Sequence, residues 1–155
     1  MGSFVREIMS EKIVTISEED SLSTVEHIMT LGGVRHMPVV QGGRLVGVVS
    51  ERDLLRASLS NLTEFGSEER RAFLHVVEIR RVMSSPPITI VPDATVKAAA
   101  WVMAEHKIGC LPVVEGEKLL GMVTETDVLR YFAGVVGAPE PAEAPDAGAA
   151  PPGSA

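Results

Sequence analysis

A chain of 155 residues with 45% hydrophobic side chains can bury a real core, and a compact fold of this length removes roughly two-thirds of its unfolded surface from water. A net charge of −7, the lack of any Lys/Arg-rich run and an aromatic content of 4% argue against nucleic acid as the main partner, since that binding draws on released counterions and stacked bases. The single cysteine, Cys110, excludes an internal disulfide framework, and the longest apolar runs fall far short of the ~18 residues a membrane span needs.

The opening Met1-Gly2-Ser3-Phe4-Val5-Arg6 has no apolar signal core, and Arg6 stands where a myristoylation motif has Ser or Thr, so a soluble, cytoplasmic protein is expected. Val14-Thr15-Ile16 predicts a short strand. Ser21 then opens a helix with Leu22, Val25, Ile28 and Met29 on one side, closed by Gly32-Gly33. Two apolar runs, Met37 to Val40 and Leu45 to Val49, flank Gln41-Gly42-Gly43-Arg44, which is a hairpin pattern. Ser50 starts a second helix carrying Leu54 and Leu55.

From Ala57 to Glu78, Leu59, Leu62, Phe65, Phe73, Leu74, Val76 and Val77 alternate with charges, predicting a packed helical connector and not a flexible linker. The same elements then recur. Ile88 to Ile90 reads as strand, Pro92-Asp93-Ala94-Thr95 as helix entry and Val96 to Lys107 as an Ala-rich helix. Leu111 to Val114 and Leu119 to Val123 form a hairpin around Glu115-Gly116, and Glu125 to Ala133 closes as a helix. Near-continuous apolar strands suggest sheets covered on both faces, with the helices as cover. Residues 138 to 155 are dominated by Pro, Ala and Gly, too little to order themselves.

The recurrence is a true repeat. Shifting the sequence by 74 residues lays Val5 to Arg56 over Ile79 to Arg130 without a gap, with 17 identities in 52 pairs, among them Met9/Met83, Pro38/Pro112 and Gly47/Gly121. Two copies of about 60 residues, each marginal alone, predict two equal lobes packed on each other. The expected division is lobe one at 1–62, connector at 63–78, lobe two at 79–137 and tail at 138–155.

Both hairpins run into one heptapeptide pattern, Gly47-Val48-Val49-Ser50-Glu51-Arg52-Asp53 and Gly121-Met122-Val123-Thr124-Glu125-Thr126-Asp127. Ser or Thr followed three residues later by an acid is a capping box, and a duplicated fold would duplicate its caps. Yet the usual partner is Glu or Gln. The shorter Asp is less suited to reaching back and freer to accept from a ligand's vicinal hydroxyls. A glycine in an otherwise apolar strand marks close approach by another backbone or by a ligand. Cap and sugar-binding readings stand side by side, and one residue pair can serve both.

The β-α-β-β-α order, the Leu/Met-Pro-Val-Val strand, the Gly-apolar-apolar-Ser/Thr-x-x-Asp motif and the in-register duplication resemble a cystathionine-β-synthase (CBS) domain pair, or Bateman module, over about residues 5 to 133. The resemblance implies an α/β (α+β) fold of two repeats around a pseudo-twofold axis. It also implies two clefts for adenosine-containing ligands such as AMP, ADP, ATP or S-adenosylmethionine. By that resemblance Asp53 and Asp127 hold ribose hydroxyls, Ser50 and Thr124 sit at the ribose or phosphate side, and Val14 and Ile88 line the adenine slot. A homodimer follows from the habit of the family.

The copies also differ. Arg35-His36 faces Gly109-Cys110 in the alignment, and Arg52 faces Thr126. Cations that held the fold would be needed twice, so Arg35, His36 and Arg52 are assigned to phosphates, in either cleft, the alternative being an ordinary solvated surface. Cys110 reads as a small apolar filler, the four histidines lack zinc-type spacing, and Met29, Met103 and Trp101 read as core or interface. With no nucleophile and base pair, no Walker loop and no dinucleotide fingerprint, the expectation is no enzyme and no cofactor beyond a regulatory adenosyl ligand. The chain is expected to signal to an unidentified target protein. The alternative is a ligand-free dimeric interaction scaffold with the same fold.

Overall fold

The computed structural model of the chain describes residues 2–59 and 66–134, so the expectation of an unstructured tail from residue 138 lies outside the described residues. The fold is mixed α/β. In chain order the elements are α1 (Val5–Ile8), β1 (Ile16–Ser17), α2 (Leu22–Gly32), β2 (His36–Gln41), β3 (Arg44–Ser50), α3 (Glu51–Leu59), α4 (Ser67–Val76), a 3₁₀ turn at Ile79–Arg81, α5 (Val96–His106), β4 (Cys110–Glu115), β5 (Lys118–Thr124) and α6 (Glu125–Phe132). No helix among the described residues is long and apolar enough to cross a membrane.

The two lobes copy each other down to single hydrogen-bonded pairs. β2 and β3 are antiparallel with His36 opposite Ser50 and Val39 opposite Gly47; β4 and β5 repeat this with Cys110 opposite Thr124 and Val113 opposite Gly121. Each ladder shifts register at the same place, between Val39 and Val40 and between Val113 and Val114. In the first hairpin Gly42 and Gly43 both take positive φ, 57° and 80°, which suits a turn that follows the strand twist.

The predicted strands at the head of each repeat are shorter than expected. Only Ile16 and Ser17 pair with β2, leaving Val14 half exposed. In the second repeat only Ile90 bridges, to Val113. Pro86 and Pro87 before it and Pro92 after it lack N–H donors and restrict their neighbours, which ends pairing there.

Helix boundaries follow from caps. Ser21 Oγ accepts from Thr24 N–H at 3.3 Å, and Thr95 Oγ1 accepts from Ala98 N–H at 3.0 Å. At the other ends Gly33 and Lys107 occupy the same left-handed position, at φ 64° and 54°. Leu22, Val25 and Met29 bury one face of α2 on the first sheet; Val96, Ala99 and Met103 do the same for α5 on the second. The connector helix α4 adds Leu74 to the first core, with Phe73 and Val77 packed against it.

Sequence comparison did not reveal how the lobes are tied. The segment at the head of each repeat crosses to the other lobe. Val5 is fully buried in the second core, with Ile8 and Met9 against it, while Ile79 is fully buried in the first, with Val82 and Met83 against it. The backbone bonds match in pairs: Val5 N–H to Ala94 O at 2.8 Å and Ile79 N–H to Asp20 O at 2.8 Å, then Ser10 with Met122 and Ser84 with Val48 in both directions. This reciprocal exchange gives the pair its pseudo-twofold symmetry. It also explains why two small units persist as one body, since neither core is complete without the other repeat's leading segment.

Candidate functional site

Each hairpin ends where a helix begins, and that junction positions the duplicated motif. Glu51 N–H donates to Arg35 O at 2.8 Å and Glu125 N–H donates to Gly109 O at 2.9 Å, so the first turns of α3 and α6 are stitched to the starts of β2 and β4. At these starts the aspartates reach back. Ser50 N–H and O–H donate to Asp53 Oδ2 at 2.8 and 2.9 Å, and Asp53 N–H donates to Ser50 Oγ at 3.2 Å. Thr124 and Asp127 form the same three bonds at 2.8, 3.0 and 3.3 Å. The expectation that Asp is less suited to the reciprocal bond is therefore corrected: one carboxylate oxygen closes the capping box in both copies. Among the described residues no hydrogen bond reaches Asp53 Oδ1.

The motif glycines also have a structural cause. A β-carbon at Gly47 would stand 2.6 Å from Met83 Sδ and 2.9 Å from Ser84 O, and one at Gly121 would stand 2.5 Å from Ser10 O. The close approach is made by the crossing backbone, not by a ligand.

Six of the nine expected residues line one cleft of about 940 Å³. Ser50, Asp53, Arg35, His36 and Arg52 come from the first repeat and Ile88 from the second. Val14, Thr124 and Asp127 do not line this cleft; Val14 is half exposed, and Thr124 and Asp127 belong to the second repeat's copy of the motif. Pro86 and Pro87 continue the wall from Ile88, while Met103, Ala104 and Ile108 close it from α5 and the loop after it. Met103 thus serves the core and the cleft wall together.

The residue comparison missed two cations and two carboxylates that the fold brings in. Lys107 and Arg56 line the cleft, as do Glu51 and Glu125. Lys107 had a visible signal. It holds a left-handed backbone position filled by glycine in the other copy, and a lysine there is strained. Comparing Gly33 with Lys107, as Arg35 was compared with Gly109, would have found it.

Four fixed cations, Arg35, Arg52, Arg56 and Lys107, therefore face three carboxylates, Glu51, Asp53 and Glu125. Arg35 meets Glu51 only at 4.0 Å and both are largely exposed, a pairing worth little. His36 lies against the second repeat, where a β-carbon at Gly109 would stand 3.1 Å from its Nε2. Burial pushes the His36 pKa below its ordinary value; Glu125 and Asp53 push it back up, and Arg35 and Arg52 push it down. His36 is thus a neutral donor and acceptor near pH 7, which corrects its grouping with the cations. Burial, reinforced by Asp53 and Glu125, pushes the Cys110 thiol up to about 12, so it stays protonated and fits the filler reading.

The sequence matches the model of the CBS domain family twice, over residues 5–60 and 79–134. It is 30% identical over 131 residues to a CBS domain-containing protein of Dictyostelium discoideum, covering 83% of this chain and 90% of that one. It is 34% identical over 117 residues to an inosine-5′-monophosphate dehydrogenase of Korarchaeum cryptofilum, where 75% of this chain matches 21% of the enzyme's length. Among solved structures, the CBS domain pair of protein MJ0100, crystallised with 5′-methylthioadenosine and S-adenosyl-L-methionine, superposes with a TM-score of 0.74 at 26% identity, covering 86% of this chain and 98% of that one. The chain belongs to the CBS domain family and carries two of its domains as a pair.

Proposed function

We propose that the chain is a regulatory, non-catalytic module that takes an adenosine-containing ligand in the 940 Å³ cleft and passes its occupancy to a target protein. The observation that carries this reading is the arrangement at Asp53. One oxygen closes the helix cap while nothing among the described residues bonds the other, in a cleft shared by both repeats. A carboxylate held rigid by its own cap is preorganised to accept two vicinal hydroxyls. Ser50 stands beside the ribose, Ile88 and the prolines before it offer an apolar slot for adenine, and Arg35, Arg52 and Lys107 supply charge for phosphates, with His36 as a neutral partner. The adenosyl compounds bound by the MJ0100 pair support the ligand class.

Thr124, Asp127 and Val14 form the matching set for a second, less cationic cleft, since Thr126 replaces Arg52. Occupancy can shift the pair between shapes only through differential affinity for them. The exposed Leu31 and Trp101 offer apolar helix surface for pairing with a second copy in a cytoplasmic homodimer. The same exposed residues favour the second reading, a ligand-free scaffold. Thermal melts with AMP, ADP, ATP, S-adenosylmethionine and NAD separate the two, because ligand at about 100 times its dissociation constant adds roughly 2.7 kcal/mol. A shift with an adenosyl compound supports the module; no shift with any of them at millimolar concentration supports the scaffold.

A further inference from the structure

Away from this cleft, α2 and the connector helix α4 border a second, open cavity of about 690 Å³. Its floor is apolar, with Ile28 and the buried Leu74. Its walls are not. Arg70 and the adjacent Arg71 come from one turn of α4 and His75 from the next, and His27 faces them from α2, one turn beyond the hydroxyls of Ser23 and Thr24. Among the described residues Glu26 is the only carboxylate in the lining. Among the described residues neither arginine makes an ion pair, although the chain as a whole carries a net charge of −7.

A solvated basic face would explain exposed arginines, but not Arg70. Its Nε is sealed from water and is the one buried side-chain nitrogen or oxygen without a partner among the described residues. A guanidinium N–H with neither water nor acceptor costs stability, and a turn of the Arg70 side chain toward the groove would bring it to an acceptor that arrives with a ligand. Arginine's planar fork suits tetrahedral oxyanions, hydroxyls add neutral donors, and the apolar floor leaves room for a small organic body.

We propose that this α2–α4 cavity is a second binding site, for a small phosphorylated anion, with Arg70 and Arg71 as its principal ligands. It is independent of the adenosyl cleft, with which it shares no lining residue. The test is a titration of the full ¹⁵N-labelled chain with pyrophosphate, with inorganic phosphate and sodium chloride at matched ionic strength as the other arms. The expected result is a saturable shift of the Arg70 Nε–Hε signal and of the α2 and α4 amides with the phosphates, absent with chloride, and stronger for pyrophosphate. Arg70→Gln should weaken it by roughly tenfold while AMP still binds. No shift of the Arg70 Nε–Hε signal by about 10 mM pyrophosphate, a concentration that would reveal even weak millimolar binding, would overturn the site, as would an equal shift with chloride. The wild-type titration decides the matter even if the variant does not fold.

Discussion

Met83 lies on Gly47 so closely that a single added methyl group at the glycine would stand 2.6 Å from its sulfur. The mirror contact sets Met9 and Ser10 on Gly121. Two identities of the repeat, methionine and strand glycine, thus belong to one device, the crossing of each leading segment over the other lobe. Gly121→Ala should be the worse substitution, because its nearest neighbour is backbone, Ser10 O at 2.5 Å, whereas the Met83 side chain can move. Chemical denaturation should show a loss of about 1–3 kcal/mol for Gly121→Ala and a smaller loss for Gly47→Ala. Gly32→Ala, inside α2 with only Val34 nearby, should instead gain about 0.5–1 kcal/mol. Equal losses at Gly47 and Gly32 would mean that the crossing does not set the requirement.

His36 links stability to pH with a defined sign. Burial lowers its pKa in the folded chain below the 6.5 of the unfolded state, so between these two values the unfolded chain binds the extra proton. Stability contributed by the neutral ring is therefore complete above pH 6.5 and is lost as pH falls through that value toward the folded pKa. The effect is modest because the ring is only partly buried. His36→Gln should flatten this segment of the stability profile, measured by denaturant melts from about pH 7.5 to 5. An unchanged slope would assign the pH dependence to other groups.

Much of the fold could be read from the sequence because the local signals agreed with the global pattern. Ser21 and Thr95 cap where they should, Gly33 ends its helix, and the Gly42-Gly43 turn closes its hairpin. The capping-box reading of both heptapeptides is visible in the motif, whereas the common cleft of Ser50, Asp53, Arg35, His36 and Arg52 emerges only when the repeats are packed together. The crossing segments did not follow, since periodicity says which residues are buried but not in which lobe: Val5 is buried as its pattern demands, in the second core. Ionisation was equally hidden. Histidine and cysteine at positions 36 and 110 become a neutral imidazole and a locked thiol chiefly through burial among neighbours that the fold assembles, with Glu125 of the other repeat pushing His36 back toward its charged form.

Cys110 supplies a probe of those neighbours. With its thiol pushed up to about 12 and its side chain buried, a thiol reagent at pH 8 should react at a rate set by opening of the fold, not by the chemistry. Modification should accelerate by orders of magnitude in denaturant, followed by absorbance or mass spectrometry. Fast native labelling would place the thiolate in a far more exposed setting.

The two caps allow structure and ligand to be separated. Asp53→Ala and Asp127→Ala each remove the same two hydrogen bonds to the carboxylate and keep the backbone N–H bond to the Ser50 or Thr124 hydroxyl, so each should cost a similar 0.5–2 kcal/mol or so of stability. Only Asp53 lines the 940 Å³ cleft. Calorimetric titration with AMP should therefore show that cleft's binding weakened by about 1–3 kcal/mol in Asp53→Ala and spared in Asp127→Ala. Equal losses of affinity, tracking the losses of stability, would mean that the aspartates act through the fold alone.

Lys107 gives the sharpest separation, because stability and binding should move in opposite directions. Its backbone is left-handed at φ 54°, a conformation that Gly33 adopts without strain in the other repeat. Lys107→Gly should therefore stabilise the chain by up to about 1 kcal/mol, as relief of a strained left-handed residue does. The same change removes a cation from the cleft wall, so ATP should lose affinity by roughly tenfold, the scale of one charge-assisted bond to phosphate, while adenosine loses almost none. Lys107→Arg, which keeps both strain and charge, should leave ATP binding near that of the parent chain and should not raise the melting temperature. A variant in which glycine stabilises the fold and leaves ATP untouched would show that the lysine serves solubility at this helix end; one in which ATP and adenosine weaken together would show that it shapes the wall of the cleft.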